Sequence, residues 1–117
     1  MNIDPVTAAV VAVVGFLILR KVLKGGKVSQ DVVMEKIKAG AQIVDVRSPE
    51  EFRDGFYPGA KNIPVQEIGG RLGELKKDKA VVLYCASGGR SGMAARVLKQ
   101  AGFADVVNAG GLGDMPR

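Results

Sequence analysis

The sequence predicts an α/β domain built on a parallel sheet, preceded by an apolar helix. Three observations predict it. Short β-branched runs, Gln42-Ile43-Val44-Asp45-Val46, Ala80-Val81-Val82-Leu83-Tyr84 and Ala104-Asp105-Val106-Val107-Asn108, alternate with helix-patterned stretches. Turn residues separate them at short intervals. Alternation of this kind puts helices on both faces of a parallel sheet, an α/β/α sandwich in three layers. At 117 residues the chain has room for one compact domain.

Met1 to Asp4 is short and polar. Pro5 to Leu19 is uncharged and apolar, and Arg20-Lys21 follows it. Residues 1–27 are expected to be a transmembrane helix, through residues 5–23, and a basic glycine-containing linker; residues 28–117 are the folded domain. The apolar run is short for a span, which needs about 20 residues unless flanking lysine and arginine snorkel. A buried helix, an interfacial helix or a cleaved signal are the competing readings. The basic residues follow the run, so the positive-inside rule predicts a single-pass protein of the cell inner membrane with its domain facing the cytoplasm. Gly25-Gly26 marks the break between the two parts.

Val28 is expected to open a short strand. Ser29 caps a helix over Gln30 to Ala39, with Gly40 just past its end. The strand Gln42 to Val46 carries Asp45, and Arg47 follows two positions later on the same face. That pair reads first as a structural ion pair near the strand's carboxyl end. Ser48-Pro49-Glu50-Glu51 is a helix start, with a serine cap, proline in the first turn and a capping-box glutamate. This helix stops at Gly55. Pro58 to Pro64 is turn-rich, with Ile63 in a brief strand. Gln66 to Leu75 is expected to hold another short helix, centred on Arg71 to Leu75. Gly102 ends the last helix, and Gly110-Gly111-Leu112-Gly113 is expected to be a loop.

The stretch Ala80 to Ala101 organises the rest. A buried strand runs into Cys85-Ala86-Ser87-Gly88-Gly89-Arg90-Ser91 and on into a helix with Ala94, Val97, Leu98 and Ala101 on one side. A strand feeding a helix through a glycine turn aims backbone N–H groups and the helix-end field at one point. A thiolate at Cys85 would be stabilised there, with Arg90 adding a positive charge. The competing reading makes this lone cysteine a small buried hydrophobe.

Composition removes other chemistries. The chain has no histidine and one cysteine. Histidine bases and histidine metal ligands are excluded, as are intrachain disulfides and multi-cysteine metal sites; no metal and no cofactor are implied. The net charge is +5, but from Val28 onward 13 basic residues face 11 acidic ones. The charge is partly a property of the linker, and nothing suggests nucleic acid.

With these residues in view the chain resembles the rhodanese family of sulfurtransferases, over roughly Val28 to Pro116. Ile43 to Arg47 is similar to the family's DxR strand, and Glu50-Glu51-Phe52 to the helix after it. Gly55 and Pro58 to Pro64 resemble its GHIPGAxNIP stretch. Cys85 to Ser91 resembles its CxxGxRS active loop, and Gly110-Gly111-Leu112 its late glycine pair. Two departures stand out: Phe56-Tyr57 where the family usually has His-Ile, and no tryptophan after the glycine pair. The second implies a loosely packed terminus or a trimmed chain.

The resemblance implies a rhodanese-like fold and a sulfurtransferase. Cys85 would carry a persulfide taken from thiosulfate or another small anionic sulfur donor, and pass it to cyanide, a thiol or a protein acceptor. Ala86, Ser87, Gly88, Gly89 and Ser91 would bind the persulfide, Arg90 would orient the donor, and Asp45 and Arg47 would be structural neighbours. Related phosphatases have a loop one residue longer, so the six residues from Cys85 to Arg90 favour sulfur over phosphate. The alternatives are a non-enzymatic membrane-tethered sulfur carrier or anion-binding module, or a phosphatase or arsenate reductase on the same scaffold.

Overall fold

A computed structural model describes residues 4–23 and 26–117. Met1 to Ile3, Lys24 and Gly25 lie outside the described residues, and with them half of the expected glycine break.

Helix α1, Pro5–Leu23, forms over the apolar run. Asp4 starts it, accepting from the Thr7 amide at 2.7 Å and from the Thr7 hydroxyl at 2.8 Å. Val6, Val10, Val11, Val13 and Val14 are exposed, so this half of the helix is no part of the domain core. Among the described residues no helix is long and apolar enough to cross a membrane. The expected transmembrane span is therefore not supported. The physical reason is length: 15 uncharged residues precede Arg20-Lys21, short of the roughly 20 that a hydrocarbon core requires.

The domain is a four-stranded parallel sheet in the order β2-β1-β3-β4. Its strands are β1 Gln42–Asp45, β2 Lys61–Asn62, β3 Val81–Cys85 and β4 Val106–Gly111. The helices are α2 Gln30–Lys38, α3 Pro49–Asp54 and α4 Gly89–Gln100. One face of the sheet packs Val44, Val46, Val81, Leu83 and Cys85 against Ala94, Ala95 and Leu98 of α4 and against Ile63, Ile68 and Phe103. The other packs Val82 and Tyr84 against Val33 of α2 and against Ala109 and Met115. The three layers are those the alternation predicts, because β3 is buried on both sides at every position. Leu98 is fully buried, so trimming it to alanine should cost about 2–5 kcal/mol.

Local chemistry sets the ends of the elements. Ser29 caps α2 and Gly40 takes a left-handed φ of 94° just past it. Ser48 and Glu51 form the expected capping box on α3, with Pro49 in its first turn.

Four expectations are corrected. Val28 opens no strand; its amide donates to the Asn108 carbonyl, and Lys27 makes one isolated bridge to Asn108. No α-helix forms over Gln66 to Leu75. Two 3₁₀ turns, Val65–Gly70 and Leu72–Glu74, replace it, because Gly69, Gly70 and Gly73 make an α-helix there too costly. The glycine pair is not loop but the end of β4, followed by a 3₁₀ turn at Leu112–Asp114. The terminus is not loose: Met115 is buried, the Tyr57 hydroxyl donates to the Pro116 carbonyl at 2.8 Å, and Gln30 Nε2 donates to the Asp114 carbonyl at 2.9 Å. Tyr57 and Met115 supply the packing for which the expected tryptophan was missing.

Candidate active site

Cys85 is the last residue of β3, at the carboxyl edge where open parallel sheets place their sites. The chain then turns through Ala86, Ser87 and Gly88 into α4. Gly88 is the N-cap with φ 105°, a left-handed conformation that favours glycine. The turn carries its amide back onto the sulfur: Gly88 N–H donates to Cys85 Sγ at 2.9 Å. The Ser91 hydroxyl lies 3.3 Å from the same sulfur. Cys85 itself is buried, and so is Ser91.

A slip in the ladder makes room for this turn. Leu83 pairs with Asn108, yet Cys85 pairs with Gly111, so β4 holds one extra residue. Gly111 then lies against the loop so closely that a Cβ would collide with the Ala86 carbonyl. This is why glycine is needed far from the loop in sequence.

The electrostatics follow from the donors. Burial pushes the Cys85 thiol up, but the Ser91 hydroxyl and the amides of Ser91, Ser87 and Gly88 outweigh it and leave the thiol below its ordinary value. Each of the amides favours the charged sulfur, and the Ser91 hydroxyl does so when its proton turns to the sulfur.

Arg90 is not an unoccupied cation. Its guanidinium makes a two-pronged bond to Glu51 of α3, at 2.6 and 3.0 Å. Glu51 also accepts from the Ser48 amide. Arg90 first, and that amide second, hold the Glu51 carboxyl down at about 2. The helix cap and the loop cation thus share one carboxylate, and any anion reaching Arg90 meets this pair.

Asp45 and Arg47 meet each other as expected. Arg47 Nη2 lies 2.6 Å from Asp45 Oδ2 and the Arg47 amide donates to Asp45 Oδ1. Arg47 also donates to the Gly55 carbonyl and lies 5.7 Å from the centre of the Tyr84 ring. Burial pushes the Tyr84 hydroxyl up to about 12, and it accepts from the Tyr57 amide. This cluster joins β1, β3 and the segment after α3. It makes no hydrogen bond to Cys85 among those of the described residues.

Sequence reasoning missed two residues of the site. Glu51 was visible only as a cap. Asn108 was read as a strand residue, although an amide among Val106, Val107 and Ala109 in a buried strand was a signal. Its side chain donates to the Gly88 carbonyl at 3.0 Å and reaches the Ser91 hydroxyl at 2.6 Å.

Comparison with known proteins agrees with this geometry. The rhodanese-like domain family matches residues 29–112. The thiosulfate sulfurtransferase PspE of Escherichia coli is 40% identical over 74 residues, 62% of this chain and 71% of PspE. The human single-domain sulfurtransferase TSTD1 superposes with a TM-score of 0.68 at 28% identity, over 75% of this chain and 92% of that one. A rhodanese from E. coli, solved with anions, superposes with a TM-score of 0.62 at 38% identity, over 66% of this chain and 95% of that one. Fold, loop and sequence agree, and the chain belongs to the rhodanese-like domain family.

Proposed function

We propose that this chain is a sulfurtransferase that carries sulfur as a persulfide on Cys85. The observation that carries the reading is the 2.9 Å contact from Gly88 N–H to Cys85 Sγ at the head of α4. Together with the other donors it favours a thiolate, the nucleophilic form of cysteine.

The first step is attack by the Cys85 thiolate on the outer sulfur of a donor such as thiosulfate. The sulfur–sulfur bond of the donor breaks, its electron pair leaves with sulfite, and Cys85 holds the transferred sulfur. In the second step a nucleophile attacks that outer sulfur. The bond to Cys85 breaks and its electron pair returns to Cys85 as thiolate. Cyanide would serve in an assay and a thiol or a protein acceptor in the cell. The amides of Ala86, Ser87, Gly88, Gly89 and Ser91 hold the charge that moves onto the outer sulfur. Arg90 meets the donor as half of an ion pair, so it orients an anion more than it attracts one. No general base is required once Cys85 is a thiolate, because the attacking sulfur then carries no proton.

The test is intact mass after incubation with thiosulfate. A gain of ~32 Da on the wild-type chain, absent from Cys85→Ser, is expected for a persulfide. No gain, or an equal gain on the serine variant, would overturn the reading and leave an anion-binding module.

Location is a separate proposal that rests on sequence alone. Residues 5–23 bring the domain to the inner membrane, with Arg20 and Lys21 drawn to its anionic cytoplasmic face; this does not require α1 to cross. Sedimentation of the full chain with membranes, lost on removal of residues 1–27, is expected. Equal sedimentation of both would contradict it.

A further inference from the structure

Asn108 lies on β4 behind the active loop and is 4% exposed. Among the described residues two backbone groups orient its amide. Gly110 N–H donates to Oδ1 at 2.9 Å, and Nδ2 donates to the Gly88 carbonyl at 3.0 Å. These bonds fix which end is oxygen. That oxygen is 2.6 Å from Ser91 Oγ.

A serine hydroxyl has one proton to give. Three acceptors surround it: Asn108 Oδ1 at 2.6 Å, Cys85 Sγ at 3.3 Å and the Gly110 carbonyl at 3.4 Å. Two oxygens without a proton between them do not sit 2.6 Å apart, so Ser91 donates to Asn108. Its lone pair then faces Cys85 and suits a neutral S–H. When Cys85 loses its proton to solvent, the sulfur becomes a strong acceptor. Ser91 can serve it only by releasing Asn108.

We propose that Asn108 is a positioning residue that competes with the Cys85 thiolate for the single hydroxyl proton of Ser91. The inference rests on the reading of Cys85 as the working thiolate. The competition keeps the sulfur from being stabilised as far as the cradle allows. A thiolate held less tightly is more nucleophilic, and thiol exchange is fastest when the thiol pKa lies near ambient pH. The chain therefore holds a tuning contact on the strand opposite the loop.

Cys85 is the sole cysteine, so its ionisation can be read directly from the pH dependence of alkylation by iodoacetamide, followed by intact mass. Asn108→Ala frees Ser91 to donate to the sulfur full time. The apparent thiol pKa should fall by about one pH unit, the size of a charge-assisted hydrogen bond. A purely structural role predicts the opposite sign, because a Gly88 carbonyl without its partner loosens the turn and weakens the Gly88 N–H bond to sulfur. In a Ser91→Ala background the fall should disappear. No fall, a rise, or a fall that persists without Ser91 would overturn the proposal.

If Asn108→Ala does not fold, Ser91→Ala alone decides. Its thiol pKa should stay within about 0.3 pH units of wild type, since the lost donor was already committed elsewhere. A rise of about one pH unit, as expected for a lost full-time donor, would overturn it. The readout is ionisation and not turnover. A wild-type chain that takes no sulfur from thiosulfate would end the sulfurtransferase reading without deciding this competition.

Discussion

Two buried polar clusters sit side by side at the carboxyl edge of the sheet, and they are built on opposite plans. At the end of β1, Asp45 and Arg47 cancel each other, and Tyr84, Tyr57 and the Gly55 carbonyl take up what is left. Donors and acceptors balance, so the cluster gains nothing from an added charge. At the end of β3, the groups that reach Cys85 are donors: the amides of Gly88, Ser91 and Ser87, with the Ser91 hydroxyl shared between the sulfur and Asn108. Donors are in surplus there, and a negative charge completes the site. Burial alone does not separate a structural cluster from a reactive one; the balance of donors and acceptors does.

The sharpest way to break the comparison is to disable each cluster in turn. Cys85→Ser should abolish sulfur loading and leave the thermal midpoint close to wild type. A variant that retained loading would remove Cys85 from the chemistry. Asp45→Ala should do the reverse. It leaves Arg47 buried without its partner, at a cost of about 3–5 kcal/mol, read by urea denaturation. The folded fraction should still load sulfur. If stability barely changes, the β1 cluster is not the closed unit described here.

Gly111→Ala tests whether the loop depends on β4. Its added methyl meets the Ala86 carbonyl, so the turn must shift. We expect a cost of about 1–3 kcal/mol from overpacking, together with at least tenfold slower loading. Unchanged loading would mean that the loop tolerates displacement.

The smallest expected effect is at Glu51. Glu51→Gln leaves Arg90 with a neutral partner, so the half-saturating thiosulfate concentration should fall severalfold, with little change in stability because the pair is partly exposed. An unchanged or higher value would show that Arg90 does not meet the donor. The pH dependence has a definite sign. Glu51 is depressed to about 2, so its contribution is complete above the ordinary glutamate range, near 4.5, and is lost only as pH falls toward 2. Across neutral pH the pair stays ionised. Loading should therefore rise with pH through the Cys85 ionisation alone and then level off.

What could be read from the sequence was local. The capping box at Ser48 and Glu51, the Ser29 cap, and the β-branched run into a glycine turn each specify geometry through near neighbours. What could not be read was made by distant pairs. Glu51 meets Arg90 across 39 positions, and nothing in the α3 sequence shows that its cap has a second partner. Asn108 reaches Ser91 because β4 pairs with β3 and sets Asn108 opposite Leu83, 17 positions from Ser91 in the sequence. Gln66 to Leu75 is expected to hold a short helix, yet three glycines decide otherwise. The N-terminal run shows a further limit. It forms a helix as its composition suggests, but helix formation does not make a span.

The most direct test of the account is the ionisation of Cys85 in the folded chain against the same chain in urea, both followed by alkylation rate across pH. The donor surplus predicts a lower midpoint in the folded protein than in the unfolded one, with persulfide loading rising through that same midpoint. A folded midpoint equal to the unfolded one, or above it, would mean that burial wins at the sulfur and that this loop does not hold a thiolate.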